Sequence, residues 1–493
     1  MKYFSTRGQK EGISAAYAIK QGLASDGGLF MPESIPSLSL DKIKELCKED
    51  YARRAAYILS LYLTDYTYDE LLSDCVEVYG EDRFPGGAAP LVKPEDGISV
   101  LELWHGPTSA FKDMALQIMP RLLSRALEKT GEKRTAFILV ATSGDTGKAA
   151  LEGYRDVPGV RISVFYPVDG VSRIQKLQMA TQAGDNVFVT AVRGNFDDAQ
   201  NGVKRIFSDT EAAKKIDAGG CFLSSANSIN WGRLAPQIAY YVSAYCDLVS
   251  RGELALGEKM NVCVPTGNFG NIFAAYLARE MGLPVGKFIC ASNKNNILSD
   301  FFRTGRYDRN RAFYTTMSPS MDILISSNLE RLLYLLAGSE RTAGYMKKLS
   351  TEGAYSVEPD VKEKLDASFC GLFADEEKTA AAIARSFKED GYLCDTHTAV
   401  ALSCAREYIE TTGDRTPMVV ASTASPYKFA SNVLRSIGGP APEDEFAALD
   451  ELEKKSGVAI PAGLASLRKK EVRFDRVIDP ADMLGEVYSE MGI

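Results

Sequence analysis

Histidine is scarce, with two in 493 residues. His105 and His397 stand in no HExxH motif and beside no Cys–His cluster, which argues against a zinc hydrolase and leaves no metal site expected. The nine cysteines are odd in number and form no CxxC pair, so they read as free thiols in a reducing compartment. Long apolar runs are missing as well. TAFILVA and MVVAS are far too short to span a bilayer, and MKYFSTRGQKEG has no apolar core of a secretory signal. These gaps predict a cytoplasmic protein with no membrane partner. A net charge of -8 leaves no basic footprint for nucleic acid, so any anionic ligand must be held by local donors.

What remains is an ordinary globular composition, 45% hydrophobic and 25% charged. The length suits about three average domains or one large two-lobed enzyme with additions. Residues 1–92 read as largely helical, with candidates at Ser14–Gly22, Asp41–Leu63 and Tyr68–Tyr79, and end in the Pro- and Gly-rich boundary DRFPGGAAPLVKPEDG. Residues 93–440 alternate short β-rich runs with amphipathic helices. TAFILVA, VRISVFYP, NVFVTAV, CFLSSA, NVCVPTG and MVVAST are the strands; SRIQKLQMATQAG, NFDDAQNGVKRIFSD, Trp231–Val249 and NIFAAYLAREMG are helices. That alternation predicts βαβ units with mostly parallel sheets, an α/β fold in which ligands bind beyond the carboxyl ends of strands. Residues 441–493 are charged and are expected to add surface helices.

Two loops at such strand ends have the composition of anion cradles. In ATSGDTGKAA, Gly144 and Gly147 let backbone amides approach a ligand, and Thr142, Ser143 and Thr146 add hydroxyls at a helix start. In VPTGNFGN, Gly267 and Gly270 flank a helix start, with Thr266, Asn268 and Asn271 as polar donors. Neither loop carries the lysine of a P-loop or the GxGxxG of a dinucleotide fold. A capped strand-to-helix turn explains either loop alone; two at equivalent strand ends suit a pair of anionic groups.

The third feature is Lys112 in HGPTSAFKDMALQ, an ammonium among Phe111, Met114, Ala115 and Leu116. With Thr108 or Ser109 as N-cap it falls in the first turn of a helix running toward Leu127, where the helix dipole and apolar surroundings lower its pKa. That is what an imine-forming lysine needs. The plainer reading is a solvent-facing lysine paired with Asp113. A Schiff-base lysine, a phosphate cradle and a carboxylate cradle together predict pyridoxal 5'-phosphate and an amino-acid substrate.

HGPTSAFKD, ATSGDTG, NSINWGRLAPQ, VPTGNFGN and STASPYKF, in this order, resemble the threonine synthase family of the long bacterial and fungal type, as do STRG and QGLASDGGLFMPESIP near the N-terminus. The resemblance runs from about Ser5 to Phe429. It implies the tryptophan-synthase-like, fold-type II architecture of two open α/β lobes behind a helical N-terminal domain. It also implies conversion of O-phospho-L-homoserine and water to L-threonine and phosphate, by a monomer or small homo-oligomer.

Carried over by motif, Lys112 would bind the cofactor and move protons. Gly267, Asn268, Phe269, Gly270 and Asn271 would hold its phosphate, and Thr423 would meet its ring nitrogen. Thr142, Ser143, Asp145 and Thr146 would meet the substrate carboxylate, with Asp145 also near the cofactor's phenolic oxygen. Asn227, Ser228 and Arg233 would clamp the substrate phosphate. Many relatives carry Asn at the Asp145 position, and an acid beside two anions must be protonated, turned away or capping the helix. TASPYKF also stands where some members read TAHPAKF. His397 matches a family position or caps a helix start; His105 orients Lys112 or fills the turn. The rival functions are another fold-type II lyase, such as a serine or threonine dehydratase, and a non-catalytic paralogue that binds the cofactor.

Overall fold

The structure, a computed structural model, describes residues 1–142, 144–169 and 171–493. TAFILVA forms the strand Thr135–Ala141, whose five inner residues are all buried. Branched and aromatic side chains in an unbroken apolar run suit a strand covered on both faces. It lies inside a five-stranded sheet with the spatial order Val477–Ile478, Val187–Val192, Val160–Pro167, Thr135–Ala141 and Cys221–Ser224, every pairing parallel. A second sheet has six strands: Phe369–Phe373, Val285–Ser292, Met260–Pro265, Met418–Ser422, Ile98–Glu102 and Leu91–Glu95. Only its last pairing is antiparallel. The mostly parallel sheets are what the alternation of runs predicts, and their division into two lobes is what the family resemblance implies.

The differences have local causes. The boundary run contains the strand Leu91–Glu95, which the sequence reading omits. Its Pro94 is tolerated because the strand is at the sheet edge and its register shifts between Val92 and Glu95. The strands Val285–Ser292 and Phe369–Phe373 are also additional to the reading. Asp41–Leu63 is two helices, Leu40–Leu46 and Tyr51–Tyr62. The second starts afresh because the Asp50 carboxylate accepts the Arg53 N–H as its cap. Trp231–Val249 likewise divides into Trp231–Leu234 and Pro236–Ser250, with Pro236 opening the second helix.

The N-terminal segment rests on the two lobes through aromatic rings from the strand Tyr3–Ser5 and the helix Tyr51–Tyr62. Tyr3 and Tyr62 pack on Trp231 with centroids 5.4 and 5.5 Å away. One apolar core runs from Ile58 and Leu59 through Ile238 and Ile272 to Val262 and Ile138. The charged C-terminal stretch, expected as surface helices, is partly internal. Val477–Ile478 covers the edge of the five-stranded sheet, and the helix Met483–Met491 buries Met483 and Val487 beside Ile206. No helix among the described residues is long and apolar enough to cross a membrane.

Candidate active site

Ile98–Glu102, Met418–Ser422 and Met260–Pro265 are adjacent parallel strands, so their carboxyl ends lie side by side. The segments that follow them carry Lys112, Thr423 and the Gly267–Asn271 loop. Two backbone bonds lay the lysine segment along the threonine segment: Phe111 N–H donates to Thr423 O at 2.8 Å and Ser425 N–H to Ser109 O at 3.0 Å. In the other lobe, Thr135–Ala141 and Cys221–Ser224 are also parallel neighbours, and their ends carry Thr142 with the helix start at Asp145 and Thr146, and the Ser225–Asn230 turn. The chain order scatters these groups; the sheets gather them.

Lys112 is not in the first turn of a helix to Leu127. It is the N-cap of a short helix, Asp113–Leu116, and a second helix, Met119–Lys129, restarts with Pro120. Thr108 and Ser109 do not cap it. Ser109 adopts a left-handed φ of 60°, and Thr108 turns its N–H and hydroxyl onto the Asp113 carboxylate, both at 2.8 Å. Asp113 is therefore engaged and buried, pushed up to about 6 by that burial. The Lys112 side chain, 12% exposed, points to the other lobe, with its Nζ 3.7 Å from Asp145. Burial brings its pKa down to about 8; Asp145 opposes that, while Arg233 and Lys428 assist it.

Asp145 starts the helix Asp145–Tyr154 behind Gly144, whose φ is 141°. Burial pushes its carboxyl up, yet Lys428, Lys112 and Gln175 together hold it below its ordinary value. Of the three states open to it from sequence, protonated, turned away or capping, none describes this: it is ionised and paired. Its strongest contact is Lys428 Nζ at 2.7 Å, and Gln175 Nε2 donates to it at 3.1 Å. The Thr142 hydroxyl accepts from the amides of Gly144 and Gly147, both at 3.0 Å. The amides of Asp145 and Thr146 make no hydrogen bond among the described residues. Ser143, the remaining residue singled out in this turn, lies outside the described residues.

The second loop has the same character. None of the backbone amides of Gly267 through Asn271 donates to an acceptor among the described residues. Phe269, with a left-handed φ of 63°, turns the chain into the helix Gly270–Met281. Asn271 is buried, and its Oδ1 accepts from Tyr240 and Tyr241 at 2.7 and 2.5 Å. Its Nδ2 has no partner among the described residues. A buried donor left open beside a run of open amides at a helix start fits a bound phosphate. A Cβ at Gly267 would come within 2.8 Å of Ser320 O, so the residue must be small there. Thr423 is buried and its hydroxyl makes no hydrogen bond among the described residues.

Arg233 is buried, donates one N–H to Ala226 O at 2.9 Å and meets no carboxylate among the described residues. Burial lowers its pKa to about 10. The turn it holds carries Asn227, which is exposed, and Ser228, whose Oγ accepts from Asn328 Nδ2 at 3.2 Å.

Four residues absent from the sequence reading shape the site: Lys428, Gln175, Asn328 and Arg331. Lys428 was in view within STASPYKF, but a lysine between two aromatic residues looks like any snorkelling lysine. Arg331 is fully buried with no ion pair among the described residues, and burial lowers it to about 9. It donates to the carbonyls of Phe30, Ser228 and Ile229 and to Asn328 Oδ1. Asn328 Nδ2 also donates to Asn268 O at 3.0 Å, so this pair ties the two phosphate-type loops together.

The histidines are one layer out. His397 Nε2 accepts the Ser320 N–H at 3.1 Å and its Nδ1 contacts the helix-capping Asp395 at 2.9 Å, so it steadies the segment that lies against Gly267. His105 stacks on Trp104 and contacts Glu102 at 2.8 Å; it has no bond to Lys112 among the described residues.

Comparison with known proteins follows the same lines. The model of the threonine synthase N terminus matches residues 2–79, that of the pyridoxal-phosphate dependent enzyme family residues 91–423, and that of the threonine synthase C-terminal region residues 398–483. Threonine synthase-like 1 of Homo sapiens is 40% identical over 433 residues, which cover 85% of this chain and 57% of that protein. The chain thus spans little more than half the length of that relative. Threonine synthase of Pseudomonas aeruginosa is 39% identical over 479 residues, covering 96% of this chain and 95% of its own. The crystal structure of PLP-bound threonine synthase from Brucella melitensis superposes with a TM-score of 0.89 at 35% identity over the whole of both chains. The fold is therefore that of the fold-type II enzymes, and the chain belongs to the threonine synthase family of pyridoxal-phosphate-dependent enzymes.

Proposed function

We propose that this chain is a threonine synthase, converting O-phospho-L-homoserine and water to L-threonine and phosphate with pyridoxal 5'-phosphate held at Lys112. The observation that carries the choice of a phosphorylated substrate is Arg233. A buried guanidinium with no acid among the described residues is costly unless an anion completes it, and it is close enough to act on the Lys112 charge. A serine or threonine dehydratase has no phosphate to put there.

When bound, the cofactor supplies a carbonyl that condenses with amines and a ring that withdraws electrons. The chain's own groups do the rest. The open amides of Gly267–Asn271 and Asn271 Nδ2 hold the cofactor phosphate, and the Thr423 hydroxyl meets the ring nitrogen. The amides of Asp145 and Thr146, with the hydroxyls of Thr142, Ser143 and Thr146, take the substrate carboxylate. Arg233, Asn227 and Ser228 take the substrate phosphate, which leaves from Cγ. An amine near 8 both gives and accepts a proton at neutral pH, so Lys112 moves protons at Cα and Cβ; Cγ gains a proton in place of the departing phosphate, and water adds at Cβ. Nine cysteines without a disulfide fit action in the cytoplasm.

The test is phosphate release and threonine formation from O-phospho-L-homoserine, with borohydride trapping mapped by mass spectrometry. Borohydride should fix the cofactor to Lys112. Deamination of serine or threonine without phosphate release would make the dehydratase reading the better one. Trapping at Lys112 with no turnover of any of these substrates would support the non-catalytic reading.

A further inference from the structure

Lys428 and Asp145 form a buried ion pair between the lobes. Lys428 lies in the turn Pro426–Phe429 beyond the strand Met418–Ser422, and its side chain is 0% exposed. Its three donors have three acceptors: Asp145 Oδ1 at 2.7 Å, Thr108 O at 3.2 Å and Gln178 Oε1 at 3.2 Å. One ammonium thus touches the lysine segment of its own lobe and two helices of the other. No N–H donor is left for a ligand to claim, so Lys428 is not a substrate-binding group. It acts through Asp145.

We propose that Lys428 is a positioning residue that keeps the Asp145 carboxylate charged and fixed beside the Lys112 amine when anions enter the site. The need follows from the proposed reaction, on which this inference rests. A substrate carboxylate and two phosphates would surround a lone carboxylate with like charge, and a buried carboxylate in that company takes up a proton. Asp113 shows what burial does without a cation in contact. It accepts from Thr108 and Gln117, yet its carboxyl is pushed up to about 6 by burial. Asp145 is buried as well and is held low. The difference between them is two lysines. Lys112 is the farther one, and it surrenders its free ammonium when it binds a carbonyl. Lys428 does not. Among the described residues, the other charged groups near the pair are Arg233, which acts on Lys112, and Asp113, on which Lys428 acts; the helix Arg173–Ala180 contributes neutral Gln175 and Gln178.

The test reads Asp145 directly. Infrared difference spectra between each protein and its Asp145→Asn counterpart report any protonated carboxyl at this position. The full-length wild type, with and without cofactor, should show none between pH 5 and pH 8, on the scale of ordinary carboxyl titration. Lys428→Met should show one on the acid side of that range, and Lys428→Arg should not. The kinetics should follow: kcat/KM of Lys428→Met falls about tenfold for each pH unit by which the carboxyl's midpoint exceeds the assay pH, and recovers in alkali. A purely structural lysine would lower yield without that pH dependence. A protonated Asp145 in the wild type overturns the proposal, and so does an ionised Asp145 in Lys428→Met. If Lys428→Met does not fold, the wild-type spectrum still decides the first point and Lys428→Gln replaces it for the second. Failure of borohydride trapping at Lys112 would count against the proposed function and leave the infrared result standing.

Discussion

Arg233 and Lys112 are two buried cations whose charges oppose each other, with Asp145 compensating only the lysine. The guanidinium is anchored to the Ala226 carbonyl by one N–H, and its other donors have no partner among the described residues. Arg233→Lys retains the charge but loses the planar fork. It should raise KM for O-phospho-L-homoserine by roughly ten- to a hundredfold, the worth of one or two charge-assisted hydrogen bonds. The matched measurement is binding of a non-phosphorylated analogue. Equal losses for both ligands would make Arg233 a structural residue of the Ala226 turn.

Asn271 offers a donor where the two tyrosines occupy its acceptor. Asn271→Asp leaves those tyrosines satisfied but turns the donor into an acidic acceptor. Cofactor affinity of the cofactor-free protein, followed by fluorescence titration with pyridoxal 5'-phosphate, should fall by at least about tenfold. Unchanged affinity would remove Asn271 from the cradle.

The Lys112 amine in cofactor-free protein should react with an acylating reagent with a midpoint near pH 8, the value to which burial brings it. A native pKa below the unfolded 10.5 means that the charged lysine destabilises the fold fully below about pH 8 and that this cost fades as pH rises toward 10.5. Lys112→Met should therefore stabilise the cofactor-free chain at pH 7, by up to about 3 kcal/mol, with the gain shrinking at pH 10. A labelling midpoint near that of an ordinary surface lysine would contradict the buried setting.

The C-terminal helix carries a pH-dependent weakness. Burial raises the Glu490 carboxyl to about 8, on a helix whose Glu490 carbonyl accepts from Arg161 of the five-stranded sheet. The folded chain binds a proton there that the unfolded chain releases near 4.5. Stability from this group is therefore complete at low pH and is lost as pH rises toward 8. Glu490→Gln should raise the unfolding free energy from urea titration at pH 8 by an amount on the order of 3 kcal/mol and leave it nearly unchanged at pH 4.5. A gain that does not grow with pH would mean that Glu490 is already solvated.

Local patterns in the chain determined the strands TAFILVA and VRISVFYP, the helix starts behind each glycine loop, and Lys112 as an amine in apolar company. Those signals are local because strand burial, helix capping and loop closure are set by neighbours in sequence. Helix breaks were less legible. A fresh cap at Asp50 and Pro236 inside an otherwise continuous apolar period separate helices that periodicity alone runs together. What only the tertiary structure decided is how each charge is compensated. Asp145 reads as an acid out of place until Lys428 arrives from the other lobe. Nothing in LERLLYLLA marks Arg331 before the fold sets it under Ser228 and Ile229. Val477 and Ile478 read as two apolar residues in a charged tail until they find a sheet edge. Pairing across such separations leaves no mark on local composition: the Coulomb energy and desolvation of a buried group depend on what surrounds it in space, and that is known only once the sheets have brought their ends together.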